Sequence, residues 1–339
     1  MRSRIGVWAL GGAVGLCLAA NTALAQDATV VEKAKREGTV TIYTIAPTDM
    51  AQAFGDHFTA KYGIKVRIFR AGGAQIEQKL ALEMRSERVE ADVVELGDPT
   101  AILQLARKGG IASFIPANAK GLAKEVVDPN GYWVSVGQNL FPLIYNKNKV
   151  SAAEAPQSYT DLADPKWKGK VALASPNYGS TQLTFVKGLV ELHGWAVVDA
   201  LKQNGAMVAR GWPDSENLIA TGERLVGPDI SIRTIQAVRK GLPLGIVFPA
   251  TGTIAVLDVM AVLKSAPHPN AARLLIEFYL TDSEQKFTAT QAAYPIRAEG
   301  GSPEGLPRLS QLKLHYVNLA ELEAQHSEIV ARWTDTLER

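Results

Sequence analysis

Cysteine is nearly absent from this sequence. Among 339 residues there is one, Cys17, and it lies in an apolar segment at the N-terminus. Residues 1–25 have the pattern of a signal peptide, in which two arginines precede an apolar stretch and Ala-Leu-Ala at 23–25 fits the small-x-small rule for cleavage. Cleavage there makes Gln26 the first mature residue, so the mature chain has no disulfide and no cysteine metal ligand. We therefore expect an exported, periplasmic protein that depends on its hydrophobic core for stability.

The sequence also lacks a surplus of charge. It has 36 Lys and Arg against 34 Asp and Glu, and because Arg2 and Arg4 lie in the signal segment, the mature chain has no net charge. A nucleic-acid-binding protein would carry a basic surplus, so that class is disfavoured. The N-terminal apolar run falls short of the ~20 residues of a membrane-spanning helix, and no later run reaches that length.

Sequence motifs of common enzymes are missing as well. There is no G-x-S-x-G sequence, and the five histidines are scattered without H-x-x-x-H or H-E-x-x-H spacing. Carboxylates such as Glu95 and Asp98 are present, but nothing in the sequence brings two of them to a scissile bond. We therefore predict no catalytic residue, no metal ligand and no cofactor. A secreted hydrolase on an α/β scaffold is the alternative.

What the sequence does contain is an alternation of strand and helix patterns. Residues 40–43 alternate like a strand, and residues 49–62 carry apolar side chains four apart, with Gly63 as the expected stop of a helix. The same order recurs in the middle of the chain, where a strand is predicted at 171–174 and a helix at 180–193. This order predicts an α/β protein with largely parallel sheets flanked by helices.

Six segments, by their order and spacing, carry a resemblance to a known family. The clearest is Asp161-Leu-Ala-Asp-Pro-Lys-Trp-Lys-Gly-Lys-Val-Ala-Leu-Ala-Ser-Pro176, a turn followed by a short strand. The others are Thr39-Val-Thr-Ile-Tyr43, Ala71-Gly-Gly-Ala-Gln-Ile76, Ala91-Asp-Val-Val-Glu-Leu-Gly-Asp98, Gly241-Leu-Pro-Leu-Gly-Ile-Val-Phe-Pro249 and Ala292-Ala-Tyr-Pro-Ile-Arg297. From Val40 to about Arg297 the chain resembles the iron(III)/phosphonate/thiamine-type solute-binding proteins of bacterial ABC importers.

The resemblance implies a two-lobed type II periplasmic-binding-protein fold. Lobe one would comprise residues 27–136 and 250–339, and lobe two residues 137–249, with crossover strands at the hinge. A small-molecule ligand would bind between the lobes and hold them closed, and an ABC permease in the inner membrane would recognise the closed form. The protein would act as a monomer and would bind no nucleic acid.

The sequence departs from the ferric-ion-binding members of this family. Those members place two adjacent tyrosines where this chain has Gly227-Pro-Asp-Ile-Ser231. The first-lobe histidine is replaced by Ile45-Ala-Pro47, and the acidic ligand by Ala74 or Gln75. Because Fe³⁺ requires anionic oxygen ligands, we do not expect direct iron binding, although ferric-ion binding is kept as an alternative function.

Ligand contacts are expected where strands end and helices begin. Unpaired backbone N–H groups and the helix dipole favour an anion there, so we expect a small anionic organic solute such as a carboxylate, phosphonate or sugar phosphate. The candidate residues are Tyr43, Thr44, Gly72, Gly73, Gln75, Tyr178, Ser180, Thr181, Trp212, Asp229 and Arg233.

Several of these candidates have a structural alternative that the sequence leaves open. The glycine pair can simply turn a corner, and a hydroxyl of Ser180 or Thr181 can cap its helix. Trp212 can stack on an organic ligand or pack in the core. Asp229 can meet an ammonium group or cap the next helix, and Arg233 can be a solvated surface charge.

Overall fold

The computed structural model describes residues 29–97 and 99–339. The signal peptide expected at residues 1–25, with Cys17 and the cleavage site before Gln26, lies outside the described residues, as does Asp98. Within the described part, none of the helices combines the length and the apolar character needed to cross a membrane.

Strands and helices alternate along most of the described chain. The strands are β1 (Thr39–Thr44), β2 (Lys65–Arg70), β3 (Val93–Leu96), β4 (Val134–Leu140), β5 (Leu143–Asn146), β6 (Ala172–Ala174), β7 (Met207–Ala209), β8 (Val226–Pro228), β9 (Leu244–Val247), β10 (Thr253–Val262) and β11 (Leu314–Tyr316). The helices are α1 (residues 29–37), α2 (Thr48–Tyr62), α3 (Gly73–Arg85), α4 (Pro99–Arg107), α5 (Ser180–His193), α6 (Ala196–Gln203), α7 (Trp212–Thr221), α8 (Ser231–Arg239), α9 (Pro269–Tyr279), α10 (Asp282–Thr290) and α11 (Leu319–Trp333).

Helix α2 shows how the sequence pattern produces these elements. Phe54 and Phe58 are four residues apart, both are buried, and Phe58 has no exposed surface. The helix ends at Gly63, whose φ of 71° lies in the left-handed region that a residue with a Cβ rarely adopts. The predicted helix and its stop are therefore confirmed.

The first sheet has six strands in the order β11-β10-β3-β1-β2, with β4 paired to the other edge of β10. Strand β1 is parallel to β2 and β3, so helices α2, α3 and α4 all begin at the same edge of the sheet. Strand β10 is antiparallel to β3 and β4 and parallel to β11.

The second set of strands comprises β5 to β9. Strands β6 and β7 are parallel, and a parallel bridge between Val171 and Val226 shows that β8 runs in the same direction. Strand β5 is antiparallel to both β8 and β9, so β6, β7, β8 and β9 run in one direction and β5 runs against them. The reason is that β5 follows β4 after two residues and enters the second sheet directly from the first, without a crossover helix that would reverse its direction.

The chain passes between the two sheets twice, from β4 to β5 and from β9 to β10. The C-terminal helix α11 lies over this junction and contacts both α4 and α5. Its inner face carries Trp333, which has no exposed surface and belongs to the same apolar cluster as Phe141 and Phe185. The last helix is thus part of a core that also contains residues near the second sheet.

Candidate functional site

Three strand-to-helix units of the second sheet place helix N-termini at one edge. Strands β6, β7 and β8 lead into α5, α7 and α8, whose N-cap residues are Gly179, Gly211 and Ile230. None of these three N-caps makes a side-chain hydrogen bond to its helix. Apart from Pro213 of α7, which has no N–H, the first-turn residues of these helices therefore offer N–H groups that no N-cap side chain engages, as in backbone anion sites.

Thr181 and Trp212 join the first turns of α5 and α7. The Trp212 indole N–H donates to Thr181 Oγ1 over 3.0 Å, and Thr181 donates to Gln182 Oε1 over 3.0 Å. The capping role considered for the Ser180-Thr181 pair is therefore wrong, because neither hydroxyl caps α5. Ser180 is exposed at the very start of the helix.

Trp212 itself is almost entirely buried, with 4% of its surface exposed. Its ring lies 5.3 Å from the ring of Phe141 and 5.7 Å from that of Phe185, measured between centroids. The structure therefore gives Trp212 a packing role that also fixes the position of Thr181.

Asp229, Glu216 and Arg233 form a cluster where α7 meets α8. Thr234 Oγ1 donates to Asp229 Oδ2 over 2.6 Å, and Arg233 Nη2 donates to Glu216 Oε1 over 3.3 Å. Asp229 has no exposed surface and Glu216 has 7%. Burial, and secondly the charge of Glu216, raise the pKa of Asp229 well above its usual range.

Tyr178 lies at the outer end of this region and is 59% exposed. The guanidinium of Arg210, at the end of β7, lies 5.1 Å from the centre of its ring. Arg210 is also exposed, so the pair adds a positive group beside the first turn of α5. Sequence reasoning included Tyr178 and missed Arg210.

The first-sheet candidates occupy different environments. Gly72 is the exposed N-cap of α3, and its N–H donates to Gln75 Oε1 over 3.2 Å, so Gln75 stabilises its own helix start. Tyr43 is 1% exposed and its hydroxyl donates to Glu83 over 2.6 Å, which removes it from the surface expected to contact a ligand. Burial and Glu83 raise the pKa of the Tyr43 hydroxyl.

Thr44 ends β1 and is completely buried, and its hydroxyl donates to Glu95 of β3. Burial raises the pKa of Glu95 to about 7, and the hydrogen bond from Thr44 opposes this rise. Glu95 pairs with Met260 in the antiparallel ladder, so it projects from the same sheet face as Asp258, two residues away on β10.

Polar side chains continue from Asp258 towards the second sheet. Asn139 Nδ2 donates to Asp258 Oδ2 over 2.7 Å, and the Ser231 hydroxyl at the start of α8 lies 3.4 Å from Asn139 Oδ1. Burial, and secondly Glu95, raise the pKa of Asp258 to about 8. These residues line the junction between the sheets, and sequence reasoning missed them because Asn139 lies 92 residues before Ser231 and 119 residues before Asp258.

The two edges meet at Gly97, directly after β3. A Cβ on Gly97 would lie 3.1 Å from Thr181 Cγ2 and 3.2 Å from Ile45 Cδ1. The first-sheet edge thus contacts the first turn of α5 at a position that only glycine fills without displacing a neighbour. Of the predicted site residues, Thr181 lies at this contact and is bonded to Trp212. Asp229 and Arg233 lie at the start of α8, Thr44 is buried at the end of β1, and Tyr43 points into the core.

A separate, mostly apolar cavity of about 370 Å³ lies between α4, α5 and α11. Its lining includes Trp133, Leu257 and Tyr316, and it contains none of the predicted site residues. Among the described residues, no group of three or more His, Cys, Asp and Glu is placed to hold a metal ion.

The arrangement of two strand groups joined by two crossings, with helix N-termini at their facing edges, defines a periplasmic-binding-protein architecture. The chain matches the bacterial extracellular solute-binding protein family over residues 90–323, and it belongs to that family. The periplasmic solute-binding class expected from the sequence is confirmed, and so is the α/β type II fold.

Individual relatives differ in what their names say they bind. The chain is 26% identical to the major ferric iron-binding protein of Neisseria meningitidis serogroup B over 307 residues, covering 85% of this chain and 90% of that protein. It is 24% identical to a putative 2-aminoethylphosphonate-binding periplasmic protein of Salmonella typhimurium over 281 residues, covering 78% and 80%. The solved structure of AfuA from Actinobacillus pleuropneumoniae, with exogenous fructose-6-phosphate bound, superposes with a TM-score of 0.76 at 23% identity, covering 89% of this chain and 99% of that one.

Proposed function

We propose that this chain captures a small anionic organic solute between two lobes and delivers it to an ABC permease. The exported chain would be a monomer without catalytic activity, and its lobes would be residues 27–136 with 250–339 and residues 137–249. The helix α11, which contacts α4 and α5, would then span both lobes.

The observation that carries the proposal is the meeting of three helix N-termini without side-chain caps. The contact between Trp212 and Thr181 joins α5 to α7, and the ion pair between Arg233 and Glu216 joins α7 to α8. Phosphate, phosphonate and carboxylate groups accept several hydrogen bonds at once, and backbone N–H groups at helix starts provide them at fixed positions. Arg233, whose side chain is 38% exposed, and Arg210 add cationic donors beside these ends.

The contact at Gly97 explains how a solute would stabilise the closed form. Because the first-sheet edge touches the first turn of α5, a solute held by the helix ends would also contact the first sheet. A ligand that contacts both sides only when they are closed shifts the equilibrium to the closed form by the free energy of the additional contacts. Two relatives named for an organophosphonate and for a bound sugar phosphate agree with a solute of this chemistry.

The test is a binding screen with matched variants. Native mass spectrometry of protein purified from its host would identify a retained solute, and thermal unfolding with fructose 6-phosphate, 2-aminoethylphosphonate, citrate and Fe³⁺ would rank the candidates. We expect an organic anion to raise the melting temperature of the wild type. The variants Arg210→Gln and Ser180→Trp should show a smaller rise. Lys202→Gln, which removes an exposed charge on α6, should show the same rise as the wild type. Stabilisation by Fe³⁺ alone would support the ferric-ion alternative and overturn the proposal.

Small-angle scattering then tests closure. The radius of gyration should fall when the stabilising solute is added, because closure brings the lobes together. A radius that does not change on saturation would contradict the closing mechanism, and turnover of the solute would support a hydrolase instead.

A further inference from the structure

The cluster at the start of α8 contains three buried polar atoms without a hydrogen-bond partner. They are Asp229 Oδ1, Glu216 Oε2 and Arg233 Nε. Each carboxyl group has its other oxygen engaged, that of Asp229 by Thr234 and that of Glu216 by Arg233. Burying an unpaired carboxylate oxygen is costly, so this symmetrical pattern needs an explanation.

A proton shared between the two carboxyl groups would give both unpaired carboxylate oxygens a hydrogen-bond partner. Asp229 and Glu216 are within hydrogen-bonding reach of each other, and Asp229 has no contact with solvent. Burial and the neighbouring charge of Glu216 both oppose ionisation of Asp229. One proton turns two orphan acceptors into a donor and an acceptor.

The proton also decides the charge beside the helix ends. Arg233 on α8 contacts the pair through Glu216, and Asp214 is an exposed acidic residue in the first turn of α7. With one shared proton, Asp229, Glu216 and Arg233 together carry no net charge, and without it they carry one negative charge. A negative charge here would oppose the dipoles of α7 and α8 where they would attract an anion.

We propose that Asp229 and Glu216 hold one proton between Oδ1 and Oε2, and that this proton is required for tight anion binding at the starts of α5, α7 and α8. Asp229 and Glu216 are positioning residues in this proposal. Glu216 accepts a hydrogen bond from Arg233, and the shared proton fixes the position of the Glu216 carboxyl group. The anion-binding half rests on the proposed function, whereas the shared proton rests on the two buried, unpartnered oxygens Oδ1 and Oε2.

Infrared spectroscopy tests the proton without any ligand. The difference spectrum between wild type and Asp229→Asn at pH 7 in D₂O should contain the carbonyl band of a protonated carboxyl group, and so should that for Glu216→Gln. The difference spectrum for Asp214→Asn, an exposed carboxylate on the same helix, should contain carboxylate bands only. If Asp229→Asn also shows carboxylate bands only, both groups are ionised and the proposal is overturned.

Calorimetry with sulfate tests the consequence, because sulfate keeps the same charge between pH 5 and pH 10. Its affinity for the wild type should fall roughly tenfold once the pair is ionised, as expected for one added charge near the site. Asp229→Asn has no proton to lose and should lack this fall, while Asp258→Asn should retain it. An acid band without any sulfate binding would refute the anion-binding half and count against the proposed function, but the shared proton would stand.

Discussion

Asn139 and Asp258 link the two strands on which the chain passes between its sheets. The Asn139 side-chain amide on β4 donates to Asp258 Oδ2 on β10 over 2.7 Å, and the register of the β4–β10 ladder shifts directly after Asp258. The charge of Glu95, on the same face of β3, contributes to the raised pKa of Asp258, so two carboxyl groups lie close together at the junction. This relationship makes the stability of the protein depend on pH.

We expect the folded protein to lose stability as the pH rises from about 4 to about 8. The pKa of Asp258 is raised from 3.8 to about 8, so the folded state keeps a proton that the unfolded chain has already released. The wild type should therefore be less stable at pH 9 than at pH 6. Because Asp258 is partly exposed and solvent screens its charge, Asp258→Asn should remove roughly 2 kcal/mol of that difference. Urea unfolding at the two pH values measures it.

Asp56→Asn, an exposed carboxylate on α2, is the matched control and should keep the full pH difference. Glu95→Gln should also reduce the difference, because its pKa is raised to about 7. A wild-type protein that is equally stable at pH 6 and pH 9 would contradict the protonated state of these groups.

Thr181→Val tests the junction between α5 and α7. The change keeps the shape of the side chain but removes the oxygen that accepts the Trp212 indole N–H. The indole nitrogen of a residue that is 4% exposed would be left without a partner, so we expect a loss of about 1–3 kcal/mol in the free energy of unfolding. Chemical denaturation measures the loss. Ser180→Ala, at an exposed neighbouring position, should cost much less, and equal costs for the two variants would argue against the Trp212 contact.

Much of the architecture follows from local sequence. The four-residue spacing of Phe54 and Phe58 and the left-handed Gly63 are enough to predict α2 and its end. The antiparallel direction of β5 was missed because strand direction is set by partners distant in sequence, such as Val247, which pairs with Leu143. Local periodicity contains no information about such partners.

The candidate site was also predictable from local sequence only in part. Asp229 was proposed to meet an ammonium group or to cap the next helix, and the structure places it directly before the N-cap of α8. Its partner Glu216 was not proposed, since on α7 it has the spacing of an ordinary helical residue. One signal was available: Glu216 lies three residues before the buried Ile219 and directly after the buried Ser215, so it falls on the inward face of α7. A carboxylate on an apolar face indicates a buried partner.

Gly97→Val tests the contact between the two edges. The added side chain would meet Thr181 and Ile45 at distances that require both to move, so the edges should separate. We expect a larger radius of gyration for the ligand-free variant by small-angle scattering. Gly73→Ala is the control, because its Cβ would come no nearer than 4.0 Å to Leu96 Cδ2. Identical radii for the Gly97 variant and the wild type would show that this contact does not determine how closely the edges approach.

The last prediction concerns the C-terminal helix α11. Trp333 has no exposed surface, and its indole N–H donates to Glu338 Oε1 over 3.1 Å. Trp333→Ala would leave a large cavity in the cluster that also holds Phe185, so we expect a loss of about 3–5 kcal/mol in the free energy of unfolding. Glu328→Ala, on the exposed face of the same helix, should change it by less than about 0.5 kcal/mol. If both variants unfold at the wild-type denaturant concentration, α11 is a peripheral attachment. If only Trp333→Ala is destabilised, α11 is part of the core and holds the junction over which it lies.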